Sequence, residues 1–167
     1  FASAIKVLKQ MESVIPDKYN LYLLMSKAYE GSGDFSNALK ALLSAAQARP
    51  SAASVYVKIG DMQMRAKKYK NALQQFQVAR QLNSNYPRLN TMLGNAHLKL
   101  GQREKAMEYA QTEIRRNPKL IDGYLLAGEV YLASGQYSKA AGQFQRVIQI
   151  APDSSGLYVK IARAHRL

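Results

Sequence analysis

One spacing constrains this chain more than any other feature: matched residues return every 34 positions along its whole length. Ala4, Ala38, Ala72, Ala106 and Ala140 form one column. Pro16, Pro50, Ser84, Pro118 and Pro152 form another, with a single substitution. Aromatic residues recur at Phe1, Phe35, Tyr69 and Tyr137, broken by Arg103, and again at Tyr22, Tyr56, Tyr124 and Tyr158, broken by Asn90. Small residues hold Ser26, Gly60, Gly94, Gly128 and Ala162. Columns that keep phase without an insertion describe one supersecondary unit repeated, whose apolar face is buried only by its neighbours.

Within a unit the apolar spacing is helical. Tyr22, Met25, Ser26 and Tyr29 stand at i, i+3, i+4 and i+7, one face of a helix. Gly31-Ser32-Gly33-Asp34 interrupts that helix and offers Asp34 as the N-cap of the next. Phe35, Ala38, Leu39, Leu42, Ala45 and Ala46 continue the same spacing, and Pro50 ends the unit because its ring cannot extend a helix. No strand-like alternation occurs. The glycine and alanine columns predict close approach of the two helices of each pair. The expected architecture is all-α, with about ten helices. Full units span 19–52, 53–86, 87–120 and 121–154, flanked by a lone second helix in 1–18 and a lone first helix in 155–167.

The 34-residue hairpin, with its aromatic, small, alanine and proline columns, resembles the tetratricopeptide repeat family over the whole chain. The resemblance implies a right-handed superhelical solenoid of antiparallel helix pairs with a concave groove lined mainly by first helices. It also implies a scaffold that holds a peptide, helix or protein partner.

Some positions depart from the pattern. In the third unit Asn90 and Arg103 replace aromatics, Ala110 stands where Leu8, Leu42, Phe76 and Phe144 occur, and Glu113 enters a small-residue column. Each change forfeits apolar burial worth roughly 1–3 kcal/mol. Drift tolerated by a cooperative array accounts for this; a flexible joint or a partner-contact site is the sharper alternative. Lys67 replaces the turn glycine found as Gly33, Gly101 and Gly135, so a differently shaped turn is expected there.

The residues offer no catalytic constellation. His97 and His165 occupy a column shared with Tyr29 and Tyr131, where an inter-helix packing role is expected, and they stand two units apart. Gly31-Ser32-Gly33 lacks the strand and the Lys-Ser/Thr ending of a phosphate loop. Glu104 and Glu108 lie on a basic, exposed helix, so neither gains the burial that shifts a carboxylate toward acid–base work. Cysteine is absent, which excludes disulfides and thiolate chemistry. No enzyme, metal, cofactor or small-molecule substrate is expected.

Two surfaces are candidates for binding. By the resemblance, Leu23, Val57, Thr91, Leu125 and Val159 form one groove column, and Lys27, Asp61, Asn95, Glu129 and Arg163 a second. Met64, Leu98, Leu132, Glu30 and Arg166 lie one turn further on. The first column is apolar and the second alternates in sign, so the carboxylate clamp of the chaperone-binding branch is not reproduced. An amphipathic helix or extended apolar segment suits such a groove better, although the same apolar residues could simply pack between hairpins. The second surface is electrostatic. Net charge is +13, and units 53–86 and 87–120 carry six and seven basic residues against one and three acidic. Arg65, Lys67, Lys68, Lys70, Lys99, Arg103 and Lys105 gather at inter-helix turns, which implies a basic ridge able to hold nucleic acid or an acidic polysaccharide without sequence specificity.

No apolar run suffices to span a membrane. The composition leaves the compartment open between a bacterial envelope (periplasm) and a cytosol. The phase of the two end segments raises head-to-tail assembly of copies. Tyr158, Ile161 and His165 of one would meet Phe1, Ile5 and Leu8 of another. Capping by flanking residues of a longer protein is the alternative.

Overall fold

The structure, a computed structural model, describes residues 1–153 and Gly156. Among these residues there are nine α-helices and no strand. They fall into two units, 1–86 and 87–167. The first holds α1 (Ala2–Met11), α2 (Lys18–Gly31), α3 (Phe35–Ala48), α4 (Ala53–Arg65) and α5 (Tyr69–Leu82). The second holds α6 (Leu89–Lys99), α7 (Arg103–Arg116), α8 (Ile121–Ala133) and α9 (Tyr137–Ile150).

The pairs are those of the sequence period: α2 with α3, α4 with α5, α6 with α7, and α8 with α9. Second helices also pack on the next first helix, α3 on α4 and α7 on α8. The alanine column sits at the seam, with Ala38, Ala72, Ala106 and Ala140 wholly buried. The facing glycines are equally demanding. A Cβ on Gly60 would lie 2.4 Å from the Phe76 ring, and one on Gly128 the same distance from Phe144. Here glycine serves close approach, because the ring occupies the space a side chain would need.

Asp34 is the N-cap of α3, as its position before the apolar run suggests. Its carboxylate accepts the Asn37 backbone N–H at 3.0 Å and the Asn37 amide at 2.7 Å. Those bonds hold its pKa below the ordinary carboxylate value, with Lys40 and Lys9 adding to the effect. Helix α1 is tied to α2 through the Tyr22 hydroxyl, which donates to Glu12 Oε1 at 2.9 Å. That bond raises the phenol pKa, with burial and the Glu12 charge adding to it.

The turn at Lys67 corrects the sequence expectation. It has the same shape as the others. Lys67 adopts φ 58°, beside 78°, 76° and 70° for Gly33, Gly101 and Gly135. The closing hydrogen bond recurs in each turn. Asp34, Lys68, Gln102 and Gln136 backbone N–H groups donate to the carbonyls of Tyr29, Gln63, His97 and Tyr131 at 2.8–2.9 Å. Packing on both sides imposes the left-handed turn even on a lysine, against a local cost of about 1–2 kcal/mol.

The third unit is not a set of independent losses. Asn90 and Glu113 stand in the columns that pair Tyr22 with Ala45 and Tyr56 with Ala79. Together they form a polar contact: the buried Glu113 carboxylate accepts from Asn90 Nδ2 at 3.2 Å and from Asn117 Nδ2 at 2.7 Å. The space beside Gly94 that a large residue at 110 would fill is taken by Leu126 and Tyr109. Ala110 is itself fully buried. Arg103 costs little, since its column is exposed at Phe35 and only half-buried at Tyr69 and Tyr137.

At α1 the expected head face also changes. Ile5 and Leu8 turn inward and pack on the unit-1 core, while Phe1, Val7, Met11 and Val14 face solvent. Tyr158, Ile161, Ala162 and His165 lie outside the described residues, as does the first helix expected in 155–167. No helix among the described residues is long and apolar enough to cross a membrane.

Candidate functional site

In unit 1 the groove residues come from two first helices. The i, i+4 spacing of Leu23 and Lys27 places them on one face of α2, and Asp61 and Met64 lie one turn apart on α4. A cavity of about 660 Å³ opens beside α2, lined by Asn20, Leu23, Leu24, Ser26, Lys27, Glu30, Leu42 and Lys58. Leu42 forms part of its floor from α3, and Leu24 is 55% exposed at its rim. Leu24 and Lys27 also line an adjoining, nearly wholly apolar hollow of about 520 Å³ against Phe1 and against Ala4, Val7 and Leu8 of α1.

Val57 does not contribute contact surface. It is buried. Asp61 and Met64 are half-buried. Glu30 pairs with Arg65 at 3.7 Å, joining the C-terminal ends of α2 and α4. The mixed charge read from the sequence is therefore partly cancelled within the protein.

In unit 2 the corresponding positions are more enclosed. Thr91 is buried, and its hydroxyl has no hydrogen-bond partner among the described residues. Asn95 and Glu129 are half-buried. Leu98 packs on the cluster of Ala106, Leu126 and Val130, while Leu125 and Leu132 pack on the cluster around Phe144. Here the apolar column divides its area between the core and the open face. Val159, Arg163 and Arg166 lie outside the described residues.

The basic residues form one cluster in each unit. Lys67, Lys68 and Lys70 crowd the α4–α5 turn, all exposed. Lys68 is the N-cap of α5 without a side-chain acceptor, and Lys70 lies in its first turn, where the helix dipole disfavours cations. Arg65 is engaged by Glu30. Lys99, Arg103 and Lys105 are exposed around the α6–α7 turn, where Glu104 offsets part of their charge.

His97 packs as its column suggests. It is buried, stacked on Tyr109 with ring centres 5.5 Å apart, and bonded through Nδ1 to Gln102 Oε1 at 2.5 Å. Glu104 and Glu108 are exposed and line a shallow hollow of about 350 Å³ with Arg103, Met107 and Tyr131.

Asn20, Leu24 and Lys58 were not singled out from the sequence, yet they line the unit-1 cavity. Leu24 shares its column with Lys58, Met92, Leu126 and Lys160, which has no constant chemistry to mark it. The usable signal was geometric: Asn20, Leu23, Leu24 and Lys27 stand at i, i+3, i+4 and i+7.

Among proteins of curated function, none matches the sequence significantly. Solved structures do match in fold. MamA from Desulfovibrio magneticus RS-1 is 20% identical with a TM-score of 0.77, covering 90% of this chain and 85% of its own. TTC0263 from Thermus thermophilus, a thermophilic tetratricopeptide repeat protein, is 18% identical with a TM-score of 0.78, at 98% and 89% coverage. YrrB, described as a tetratricopeptide repeat protein with an unusual peptide-binding site, is 20% identical with a TM-score of 0.72, at 98% and 84% coverage. The sequence model of the tetratricopeptide repeat matches residues 23–87 and again 91–155. With helix pairs, buried alanine seam and recurrent left-handed turns all in that register, the chain belongs to the tetratricopeptide repeat family.

Proposed function

We propose that this chain is a protein-interaction scaffold that holds a segment of a partner protein against its first-helix faces, without a catalytic step. The observation that carries the reading is the unit-1 cavity, where Leu24 is exposed and Leu23 half-buried on a helix most of whose apolar residues are buried. A hollow of several hundred Å³ that sets leucine side chains beside polar and charged groups is large enough to seat side chains of a partner segment. Groove binding by an apolar helix face or extended segment is a recurrent mode for such surfaces. The peptide-binding site ascribed to YrrB is in keeping with this role.

The test is selection from a displayed peptide library on the full chain, followed by Leu23→Asp with Leu24→Asp. Selected peptides should lose binding while helicity stays unchanged. Binders that survive the double change would place recognition elsewhere.

A second reading, binding of a linear polyanion, is favoured by the α4–α5 turn. A lysine occupies a left-handed position that glycine fills in three other turns, and a second lysine caps α5 without an acceptor. Both choices cost stability, and both concentrate charge. Retention on heparin or nucleic acid should fall steeply with salt and vanish in Lys67→Glu/Lys68→Glu/Lys70→Glu. An unmodified protein that ignores both polymers at low salt removes this reading.

A further inference from the structure

The two lysines of the unit-1 cavity differ from the other charges around it. Glu30, the one acidic residue of the lining, is engaged by Arg65 at 3.7 Å. Neither Lys27 nor Lys58 forms an ion pair among the described residues, and both are exposed. The same cavity is lined by the exposed Leu24, the half-buried Leu23 and the buried Leu42. The surrounding field has the same sign: residues 1–86 hold twelve basic and five acidic side chains. A cavity with an apolar floor, a positive rim and its only carboxylate already paired discriminates by charge.

We infer that this cavity takes an acidic, amphipathic segment of a partner protein, with apolar side chains on Leu23 and Leu24 and side-chain carboxylates facing Lys27 and Lys58. This rests on the groove reading above and adds the chemistry of the occupant. The carboxylates belong to side chains and not to a chain terminus. Gripping a terminal carboxylate requires several fixed, converging donors; of the neutral donors in the lining, the Asn20 amide is held by Asp17 Oδ2 at 2.5 Å and Ser26 is buried. What remains is two flexible, strongly hydrated ammonium groups, which respond to charge and impose little geometry. Such groups raise the association rate of anionic partners and repel cationic ones.

The experiment uses the full chain and three fluorescein-labelled, C-terminally amidated peptides in which Leu keeps a helical register and the remaining positions are all Glu, all Gln or all Lys. Fluorescence anisotropy at low salt should show the Glu peptide binding about tenfold tighter than the Gln peptide, with the Lys peptide weakest. Lys27→Gln/Lys58→Gln should abolish that preference and leave Gln-peptide affinity unchanged. Lys27→Glu/Lys58→Glu should invert the order and favour the Lys peptide. Lys67→Glu/Lys68→Glu/Lys70→Glu should leave the order as it was. Equal binding of the Glu and Gln peptides by the unmodified chain overturns the acidic occupant while the groove reading stands. A preference lost on reversing Lys67, Lys68 and Lys70 assigns the acidic probe to the turn and also overturns it. Failure of all three peptides to bind overturns both readings together.

Discussion

Replacing Lys67 with glycine should stabilise the protein although it removes a side chain. Lys67 is held at φ 58° in a turn whose three counterparts are glycines at 70–78°. An L-residue in that region costs about 1–2 kcal/mol through its Cβ and the adjoining carbonyl. Glycine returns part of the gain, about 0.5–1 kcal/mol, through the greater freedom of the unfolded chain. Nothing lies within 4 Å of a Cβ built on Gly33, Gly101 or Gly135, so equivalent turns offer no packing for a side chain to lose. Loss of a cation near the N-terminus of α5 adds a few tenths of a kcal/mol. The net gain for Lys67→Gly is about 0.5–1 kcal/mol, or roughly 1–4 °C in Tm. Urea titration followed by helical circular dichroism measures it best, as a higher midpoint at constant slope. Lys67→Ala separates the causes: it removes the charge but keeps the Cβ, and should recover only the small electrostatic part. Lys67→Gly that leaves the midpoint unmoved, or that merely equals Lys67→Ala, would refute the claim that backbone conformation sets the cost.

Gly60→Ala and Gly128→Ala should each destabilise by about 1–3 kcal/mol, because the new methyl overlaps the Phe76 or Phe144 ring. Gly142→Ala, in α9 with open space around it, should stabilise by about 0.5–1 kcal/mol, and one set of melts covers all three. Glu113→Ala should cost about 1–3 kcal/mol by stranding the amides of Asn90 and Asn117. Combined with Asn90→Tyr, it restores the Tyr–small pairing of neighbouring units. A double-mutant cycle should then show favourable coupling of about 0.5–3 kcal/mol, and additive changes would contradict the joint. Asp34 carries a lowered pKa, so its capping contribution is fully present above the ordinary carboxylate pKa and is lost as pH falls through its lower folded value. Asp34→Asn keeps an acceptor but does not titrate, and should flatten that part of the acid limb of a stability–pH profile.

The unit-1 cavity and the α4–α5 turn were legible in the sequence to different depths. Leu23 and Lys27 are named by the family resemblance, which assigns their two columns to the groove, while the 34-residue period only aligns the columns. Lys58 and Leu24 are not, because their column mixes leucine, lysine and methionine, and a column read by chemistry passes over them. Val57 and Thr91 show the opposite failure. The resemblance assigns their apolar or neutral column to the groove, but Val57 and Thr91 are buried, and spacing alone does not say how far neighbouring helices cover a face.

Sequence by itself determined the unit length, the helix pairing, the Asp34 cap and the alanine seam. These follow from local periodicity, from breakers and caps acting within a few residues, and from repetition that averages out single exceptions. Only the tertiary structure decided that Lys67 shares the left-handed turn of its glycine counterparts, since that conformation is imposed by the packed helices on either side. It alone joined Asn90 to Glu113, far apart in the chain and ordinary one at a time, and moved Leu126 into the space left by Ala110. It also engaged Glu30 with Arg65 and left Lys27 and Lys58 open. Such pairings depend on distances between helices, and a one-dimensional period says which residues are equivalent without saying which ones meet.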